Sequence, residues 1–389
     1  MERDLKTPLG ILTAADEQFL HQTTEMFVNV ATSDPAWTER AYGCAITKDG
    51  SVALHWGLGK YTNRNVMDGF VGISVGREQR QIRFNRRLAS APLETAVGPF
   101  KFEILEPLKT SRITLAATEH QPISCDIVQK AILPPWVEDR SYVARAFRRV
   151  QDEVRYILPT TATGWIECDG QRIELKEGGD FGFRDHSWGI KQNTGPAAPG
   201  VADRAKMPSG LKYRMLWCPA VLQRQDQSLY RVHLFTWETS SARGGQLVNE
   251  SRIFDGADGE IHARKTLVDL KFDPINREPL GGVVVLELED GSQRPFHIEV
   301  AAEPRVCLGL GLYHGYKGHY HGEDRGALFV EGEHIANTGQ ADTTREIHQI
   351  RDILVKITDP VGGGSGWGII NTEISGGWPE LGLDDSPWR

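Results

Sequence analysis

The stretch YGCAITKDGSVALHWGLG, residues 42–59, alternates between two kinds of side chain on both sides of an Asp49-Gly50 pair. A period of two predicts β-strands, because successive residues of a strand point to opposite faces. Asp-Gly between two such runs is a strong signal for a tight hairpin turn. This stretch therefore predicts two antiparallel strands joined by a turn.

Similar runs occupy most of the chain, among them DGFVGISVG, RQIRFNRRL, RITLAATE, LKYRMLWCPAVL, SLYRVHLFTWE and GGVVVLELED. Further turn pairs stand at Asp169-Gly170, Asp255-Gly256 and Asp290-Gly291. Strands that recur about every 8–12 residues are typical of antiparallel barrels and sandwiches. There is little alternation of strands with helices, so the sequence predicts an all-β fold rather than a doubly wound sheet.

The chain has 389 residues, which is more than one hydrophobic core usually serves, since domains of roughly 100–200 residues are the norm. A stretch rich in Gly, Pro and Ala at 193–210 is typical of a long loop or a domain junction. We therefore predict two β domains, residues 1–195 and residues 196–389.

Two segments depart from the strand pattern and predict helices, residues 16–29 and residues 137–156. In the second segment, Val143, Phe147 and Val150 are spaced i, i+4 and i+7, which places them on one side of a helix. The C-terminal part of the same segment, EVRYIL, alternates and fits a strand equally well.

The composition excludes several classes of protein. A net charge of −8 with mixed signs and no Lys/Arg block argues against a nucleic-acid partner. No run approaches about 18 consecutive apolar residues, so no membrane-spanning helix is expected, and MERDLKTPLG lacks the apolar core of a signal peptide. Five scattered cysteines without a CxxC pair are typical of reduced thiols, so the expected location is the cytoplasm. The sequence leaves a homodimer open.

Several common catalytic motifs are absent, since the chain has no GxSxG elbow, no GxxxxGK[ST] loop and no HExxH helix. The segment YHGYKGHYHGED, residues 313–324, holds His314, His319 and His321. On a strand, His319 and His321 would share a face, where they could bind a divalent metal. An exposed hairpin or a pocket-lining loop explains the same residues, so both interpretations stand.

Tryptophans recur at positions that the pattern turns inward, namely Trp56, Trp165, Trp188, Trp217, Trp237 and Trp367. Such residues form the aromatic core of a β protein, or they line the mouth of a barrel that holds an apolar ligand. Between two predicted strands, Arg64 and Asp68 either belong to a plain turn or face a cavity.

The stretch FRDHSWGI, residues 183–190, concentrates polar and aromatic residues. On a strand, Arg184, His186 and Trp188 share one face, and Asp185 lies on the other. A bulge here would let Asp185 and His186 both reach a cavity, as an acid and its partner. A buried Asp–Arg ion pair beside a packed Trp is the structural alternative.

At Asp185-His186-Ser187-Trp188-Gly189 the chain resembles the lipocalin-like superfamily of carotenoid 1,2-hydratases, tocopherol cyclase and AttH-type bacterial proteins. The preceding GWIECDGQRIELKEGGDFGF and the upstream SDPAWTERAYGCAITKDG and GLGKYTNRNVMDGF are similar to the corresponding parts of its members. The resemblance covers most of the chain in architecture, and the Asp-His-x-Trp-Gly element is its most specific part. It implies two tandem lipocalin-like antiparallel β-barrels with a hydrophobic pocket.

The resemblance also implies a chemistry. The hydratases add water to an isolated isoprenoid double bond, and the cyclase closes a ring by protonating a similar bond, so neither reaction needs a metal or a redox cofactor. Asp185, His186 and Trp188 carry over as site residues. The hydratases place a Tyr-x-Asp pair on a later strand, where Tyr213-Arg214-Met215 keeps the Tyr and lacks the Asp.

We therefore expect a cofactor-independent hydratase, dehydratase, cyclase or isomerase that acts on a double bond of a hydrophobic isoprenoid-like or polycyclic substrate. Asp185, His186 and Tyr213 are the expected acid/base groups. The expected substrate contacts are Trp188, Arg184, Trp217, Trp56, Arg64, Asp68 and His314. Two alternatives stay open, a non-catalytic carrier of an apolar small molecule and a metal-dependent enzyme that uses the 314–321 histidines. A buried ionisable group with a shifted pKa favours the enzyme, and an all-apolar cavity favours the carrier.

Overall fold

The computed structural model describes residues 5–7, 10–13, 15, 26–89, 91–145, 148–176, 181–192, 194–196, 210–242, 244–256, 259–301 and 303–384. Within these ranges nearly all of the regular secondary structure is strand, which confirms the all-β prediction. The described part contains one α-helix, Ala341–Ile347 (α1), and short 3-10 turns at Thr62–Arg64, Leu308–Gly311 and Pro379–Leu381.

In the described part of the chain, fifteen strands precede the predicted domain junction. They are β1 (Leu5–Thr7), β2 (Gly10–Leu12), β3 (Trp37–Ile46), β4 (Val52–Tyr61), β5 (Val66–Val75), β6 (Glu78–Arg87), β7 (Ala96–Val97), β8 (Phe100–Glu106), β9 (Thr110–Leu115), β10 (Ile123–Ala131), β11 (Trp136–Val137), β12 (Ser141–Arg145), β13 (Arg148–Cys168), β14 (Gln171–Leu175) and β15 (Phe181–Ile190).

The strands that follow the junction are β16 (Lys212–Arg224), β17 (Leu229–Ser241), β18 (Gly244–Asn249), β19 (Arg252–Asp255), β20 (Gly259–Phe272), β21 (Pro279–Leu288), β22 (Gln293–Val300), β23 (Val306–Cys307), β24 (Leu328–Ile335), β25 (Arg351–Asp359) and β26 (Gly364–Ser375).

The first large sheet has 14 strands and curls into a barrel shape. Its main order is β24-β6-β5-β4-β3-β15-β13-β10-β9-β8-β7, and β11, β12 and β14 also pair with β13. The hairpin predicted from residues 42–59 is β3–β4, in which Ile46 lies opposite Ala53. The two ends of the sheet approach each other, because the rings of Phe84 in β6 and Phe100 in β8 stack with centroids 5.7 Å apart. β1 and β2 form a separate two-stranded sheet.

The second large sheet closes into a ring of eight strands. Its order is β16-β26-β25-β22-β21-β20-β19-β17, and β17 pairs back with β16. β18 pairs with β17 and β23 pairs with β25 outside this ring. Closure removes the free edges that would otherwise invite pairing with other chains. The expectation of two barrel-shaped β units is confirmed.

Among the described residues, the three largest apolar clusters hold the fold together. One fills the first barrel around residues such as Leu54, and a second fills the second barrel around residues such as Phe296. The third lies between the barrels and combines Tyr42 and Phe183 of the first sheet with Trp217 of the second. The central strands of the first sheet are therefore covered on both faces, which explains why nine of the ten residues of β5 are buried.

All five cysteines are buried free thiols, as their spacing predicts. Burial raises the pKa of Cys125 to about 12, which keeps this thiol protonated. In the part of the chain that the structure describes, no helix is long and apolar enough to cross a membrane.

The predicted helix at 137–156 is wrong. The structure instead forms the end of β11, all of β12 and the first part of β13 there. β13 pairs with five strands, β10, β11, β12, β14 and β15. These cross-strand hydrogen bonds and contacts override the helical spacing of Val143 and Val150. The alternation in EVRYIL was the correct signal.

Two other predictions fall largely outside the described residues. Of the helix predicted at 16–29, residues 16–25 lie outside, and of the loop predicted at 193–210, residue 193 and residues 197–209 lie outside. The proposed division at 195/196 separates the two large sheets except for β24, which follows the junction but pairs with β6 of the first sheet. We keep the division as a proposal of two domains, in which β24 comes from the second part of the chain and joins the sheet of the first.

Glycines shape the face of the first sheet that meets the second barrel. Gly57 of β4 lies opposite Tyr42 on one side and Phe70 on the other. A Cβ atom at Gly57 would lie 2.5 Å from the Phe70 ring and 3.0 Å from the Arg40 guanidinium. Because no side chain occupies this position, Phe70 and Arg40 can lie across the sheet and cover its surface between the barrels.

We predict that Gly57→Ala lowers the free energy of unfolding by about 1–3 kcal/mol, because the methyl group overpacks the space that Phe70 and Arg40 fill. Urea denaturation of the variant and the parent protein measures this difference. Val75→Ala, at the exposed end of β5, is the control and should change stability by less than about 0.5 kcal/mol. Equal stabilities of the two variants would contradict the overpacking.

Candidate functional site

The two faces of β15 point into different environments. β15 pairs regularly with β13 and β3 over its ten residues, without a bulge. Arg184 points into the first barrel, where its guanidinium carbon lies 5.8 Å from the ring centroid of Phe102. Phe183 points the other way, and its ring centroid lies 5.3 Å from that of Trp217 in the second barrel. Asp185 shares the face of Phe183 and therefore faces the second barrel.

His186 and Trp188 lie on the same face as Arg184, away from Asp185. His186 Nε2 lies 3.1 Å from a carboxylate oxygen of Glu39, and Nδ1 lies 3.4 Å from the hydroxyl of Tyr156. Tyr156 also accepts a hydrogen bond of 3.2 Å from Arg184. The Trp188 side chain is 38% exposed. The structure thus brings three of the predicted residues together, but it separates them from Asp185 by the thickness of the sheet.

Asp185 lies beside a second buried carboxyl that sequence analysis did not single out. In the ladder between β15 and β3, Asp185 stands directly opposite Tyr42, so their side chains are neighbours on one face. The Tyr42 hydroxyl donates a hydrogen bond of 2.5 Å to Asp352 in β25 of the second barrel. Asn371 in β26 donates another of 3.1 Å to the other oxygen of Asp352. Two carboxyls and a phenol therefore span the space between the barrels.

These carboxyls hold their protons more tightly than usual. Burial raises the pKa of Asp352 to about 6, although hydrogen bonds from Tyr42 and Asn371 oppose the rise, and nearby Asp185 adds to it. Burial also raises the pKa of Asp185, against the opposing charge of Arg155. A carboxyl with a pKa near 6 can donate a proton close to neutral pH and take it back.

Cations and aromatic rings enclose the carboxyls. Arg155 Nε lies 3.8 Å from Asp185 Oδ2. The Tyr313 ring centroid lies 6.2 Å from that of Tyr42 and 5.3 Å from the guanidinium carbon of Arg40. The residues that meet here from both sheets and the 308–323 segment are called the inter-barrel cluster: Tyr42, Asp185, Tyr313, Asp352 and Asn371.

Asp68 and Arg64 hold the segment that carries Tyr313. Asp68 is buried and accepts hydrogen bonds from Tyr61 (3.0 Å), from Arg40 (3.1 Å) and from the backbone N–H of Gly322 (2.7 Å). Arg64 donates a hydrogen bond of 2.8 Å to the carbonyl of the same Gly322. These two predicted residues therefore fasten the 308–323 segment over the first sheet.

The two tryptophans of the predicted site have different surroundings. Trp217 lies between the barrels and donates a hydrogen bond of 2.7 Å from Nε1 to Glu138. Trp56 is fully buried inside the first barrel, where it stacks on Phe102 and donates a hydrogen bond of 3.1 Å to Gln129. Trp217 thus belongs to the inter-barrel space, and Trp56 belongs to the core of the first barrel.

Tyr213 and His314 meet at a carboxylate in β26. The Tyr213 hydroxyl donates a hydrogen bond of 3.0 Å to Glu373, and His314 Nε2 lies 3.1 Å from the other oxygen. Burial alone would raise the pKa of Glu373, but His314, with His348 and Tyr213, brings it down to about 2. In the described ranges, His314, His348 and Glu373 are the one group of three metal-type donors within 4.8 Å of one another. They could hold a divalent ion, but Ile350 N–H already donates to His348 Nδ1 at 3.1 Å.

The other two histidines of the 313–324 segment have separate partners. His319 Nδ1 lies 3.0 Å from Glu323, and His321 Nε2 lies 2.5 Å from the carbonyl oxygen of Gly311. The His321 ring also contacts Tyr313, with centroids 5.0 Å apart. The metal set of His314, His319 and His321 is therefore not assembled in the structure.

Most members of the inter-barrel cluster were missed in the sequence for identifiable reasons. The helix predicted at 137–156 also hid Arg155, a neighbour of the cluster that faces Asp185 from a strand. Asp352 stands in the strand RDILVKITD, where a charged residue at an otherwise buried position was an available signal. Tyr42 belongs to the first hairpin and has no motif around it. Its role depends on β25, which lies far away in the sequence.

A profile of the protein family described as "Family of unknown function (DUF8625)" matches residues 12–383, so the chain belongs to this family. No curated protein sequence matches the chain.

Three solved structures are similar to the chain in fold. One is a candidate AttH protein of Nitrosomonas europaea, with 11% identity, a TM-score of 0.45, and coverage of 86% of this chain and 92% of that one. Another is CghA with Sch210972, with 11% identity, a TM-score of 0.46, and coverage of 87% and 89%. The third is kievitone hydratase of Nectria haematococca, with 10% identity, a TM-score of 0.41, and coverage of 86% and 89%.

We predict that the free energy of unfolding of Asp352→Asn, relative to that of the parent protein, increases as the pH rises from about 4 to about 7. The ordinary pKa of 3.8 rises to about 6 in the folded state, so the contribution of Asp352 to stability is complete below the ordinary pKa. That contribution is lost as the pH passes about 6. Two pKa units correspond to roughly 3 kcal/mol.

Urea denaturation at a series of pH values measures this difference. Asp152→Asn is the control, because Asp152 forms an ion pair with Arg140 at the surface. The hydrogen bond from Arg140 is the main reason that the pKa of Asp152 is lowered rather than raised. A difference between Asp352→Asn and the parent protein that stays constant across this pH range would contradict the raised pKa.

Proposed function

We propose that this protein is a cofactor-independent acid/base enzyme, a hydratase, dehydratase, cyclase or isomerase, with the inter-barrel cluster as its reaction centre. The proposed substrate is a hydrophobic isoprenoid-like or polycyclic molecule with a carbon–carbon double bond. The observation that carries the proposal is the Asp352 carboxyl, whose pKa burial raises to about 6. A buried ionisable residue costs stability, so packing between the barrels alone would favour an apolar side chain at this position. A buried carboxyl with a raised pKa is therefore a candidate functional group.

The proposed first step moves the proton of Asp352 to one carbon of the double bond. The π electron pair forms the new C–H bond, and the other carbon becomes a tertiary carbocation. In a hydratase, water adds to the cation and releases a proton to a carboxylate. In an isomerase, the carbon next to the cation loses a proton to a carboxylate, and a new double bond forms. In a cyclase, a second double bond of the substrate first attacks the cation and closes a ring, and the new cation then loses a proton or adds water. Tyr42 bonds to one carboxyl and stands opposite the other, so its hydroxyl can pass a proton between them.

Aromatic rings beside the cluster support a cationic intermediate. The Tyr42 ring centroid lies 5.8 Å from that of Phe183 and 6.3 Å from that of Phe70, and Trp217 lies beyond Phe183. An aromatic face stabilises a cation by roughly 0.5–2 kcal/mol, and more where water is excluded. These rings also provide an apolar surface for a hydrophobic substrate.

Two buried polar atoms next to the carboxyls lack hydrogen-bond partners within the described residues. They are Asn371 Oδ1 and Arg155 Nε, and neither makes a hydrogen bond. Buried polar atoms are nearly always paired, so such exceptions point to a water molecule or a polar ligand atom. Both atoms belong to residues that contact Asp352 or Asp185, which is where the reacting water of a hydratase is needed.

Of the expected acid/base groups Asp185, His186 and Tyr213, the proposal retains only Asp185. It assigns the other acid/base roles to Asp352 and Tyr42. His186 lies across the sheet from Asp185, and Tyr213 bonds to Glu373 instead. The buried, titratable character of Asp352 also supports the enzyme over a pure carrier.

We predict that Asp352→Asn and Asp185→Asn each lower turnover by about 10²–10⁴-fold, since each removes a proton-transfer group. The assay is deuterium incorporation in D2O into geraniol, farnesol and geranylgeraniol, followed by mass spectrometry. Protonation of a double bond leaves one deuterium on carbon, whether the product is hydrated, cyclised or isomerised. Asp152→Asn is the matched control and should keep the parent rate.

His186→Ala separates the two faces of β15. We expect a much smaller loss than for Asp185→Asn, because His186 does not face the cluster. If both cluster variants incorporated deuterium at the parent rate, the proposed reaction centre would be wrong.

A further inference from the structure

The second barrel contains a cavity of about 360 Å³ that is partly open to solvent. That volume falls within the range of small-molecule sites, which starts near 300 Å³. Its lining includes Leu216, Val268, Leu270, Phe272, Ile374 and Leu381. The wall formed by β16 and β26 separates this cavity from the inter-barrel cluster, because Asn371 and Thr372 are consecutive residues that point to opposite faces.

Two threonine hydroxyls mark the cavity as a site for a ligand with a polar group. Thr236 and Thr372 flank Leu216 directly in the ladders of β17, β16 and β26. Both residues are buried, 8% and 5% exposed, and both line the cavity. Neither hydroxyl makes a hydrogen bond within the described residues. Valine has nearly the same shape but no hydroxyl, so the two threonines give this largely apolar wall a place where a polar ligand atom can form a hydrogen bond.

Four charged residues line the cavity, two of each sign, which favours a neutral ligand: Arg214, Lys265, Glu238 and Asp269. Arg214 Nε lies 2.8 Å from Glu238 Oε2, so the two charges on adjacent strands balance each other. The guanidinium of Arg214 also stacks over Trp378 at 4.5 Å. A charged ligand would have to break this pair, whereas an uncharged molecule leaves it intact.

We propose that the second barrel binds a neutral, mainly apolar small molecule that presents one hydroxyl or carbonyl group to Thr236 and Thr372. The apolar body lies against Leu216, Val268 and Leu270, and the polar group bonds to the two threonines. This site is separate from the inter-barrel reaction centre and does not depend on the proposed chemistry there.

Two matched probes test the site, 2-naphthol, which has one hydroxyl, and naphthalene, which has none. Fluorescence titration with the full-length protein should show one saturable site for 2-naphthol. Val268→Phe fills the cavity and should weaken binding of both probes by about tenfold. Val285→Phe is the control, because it stands on the neighbouring strand next to the inward-facing Val284 and points outward, and it should change affinity by less than about twofold.

The double variant Thr236→Val and Thr372→Val tests the hydroxyls without changing side-chain size. It should weaken 2-naphthol by about 3–10-fold, the effect of one hydrogen bond, and leave naphthalene unchanged. Thermal unfolding confirms that each variant is folded.

Absence of saturable binding would overturn the proposal. Unchanged affinity in Val268→Phe would do the same, as would equal weakening of both probes by the threonine variant. Asp352→Asn should bind 2-naphthol like the parent protein, so failure of this site and failure of the proposed reaction centre give different results.

Discussion

The hydrogen bond from Tyr42 to Asp352 joins the two barrels at a point where a carboxyl has been removed from water. A charged carboxylate is costly in that environment, so the folded protein favours the protonated form, and the pKa of Asp352 rises to about 6. Asp185 stands beside Tyr42 and adds a second carboxyl that resists ionisation. The placement of both groups follows from how the two sheets pack face to face.

That packing depends on strands that are buried on both faces. In β15 the alternation sends Arg184 into the first barrel and Asp185 toward the second, so one short stretch serves two environments. Glycine at position 57 leaves space for Phe70 and Arg40 to lie across the sheet. The 308–323 segment then covers this surface, fastened by Asp68 and Arg64. Stability and site geometry therefore share the same residues.

The fold was largely readable from the sequence, because a period of two is a local property and Asp-Gly pairs mark the turns. The same local signal failed at 137–156, where helical spacing coincided with a strand whose partners lie elsewhere in the chain. The candidate site was only partly readable. Asp185 could be found from its motif, and its orientation followed from strand periodicity. Tyr42, Arg155 and Asp352 could not, because they meet only through long-range pairing and packing.

The most direct test of the reaction centre is the pH dependence of kcat/KM in the parent protein and in Tyr42→Phe, measured by deuterium incorporation. If Asp352 donates the proton, kcat/KM falls as the pH rises past about 6. The hydrogen bond from Tyr42 lowers the pKa of Asp352, so its removal should move this falling limb to higher pH. A limb that stays at the same pH in Tyr42→Phe would contradict the assignment of Asp352 as the acid.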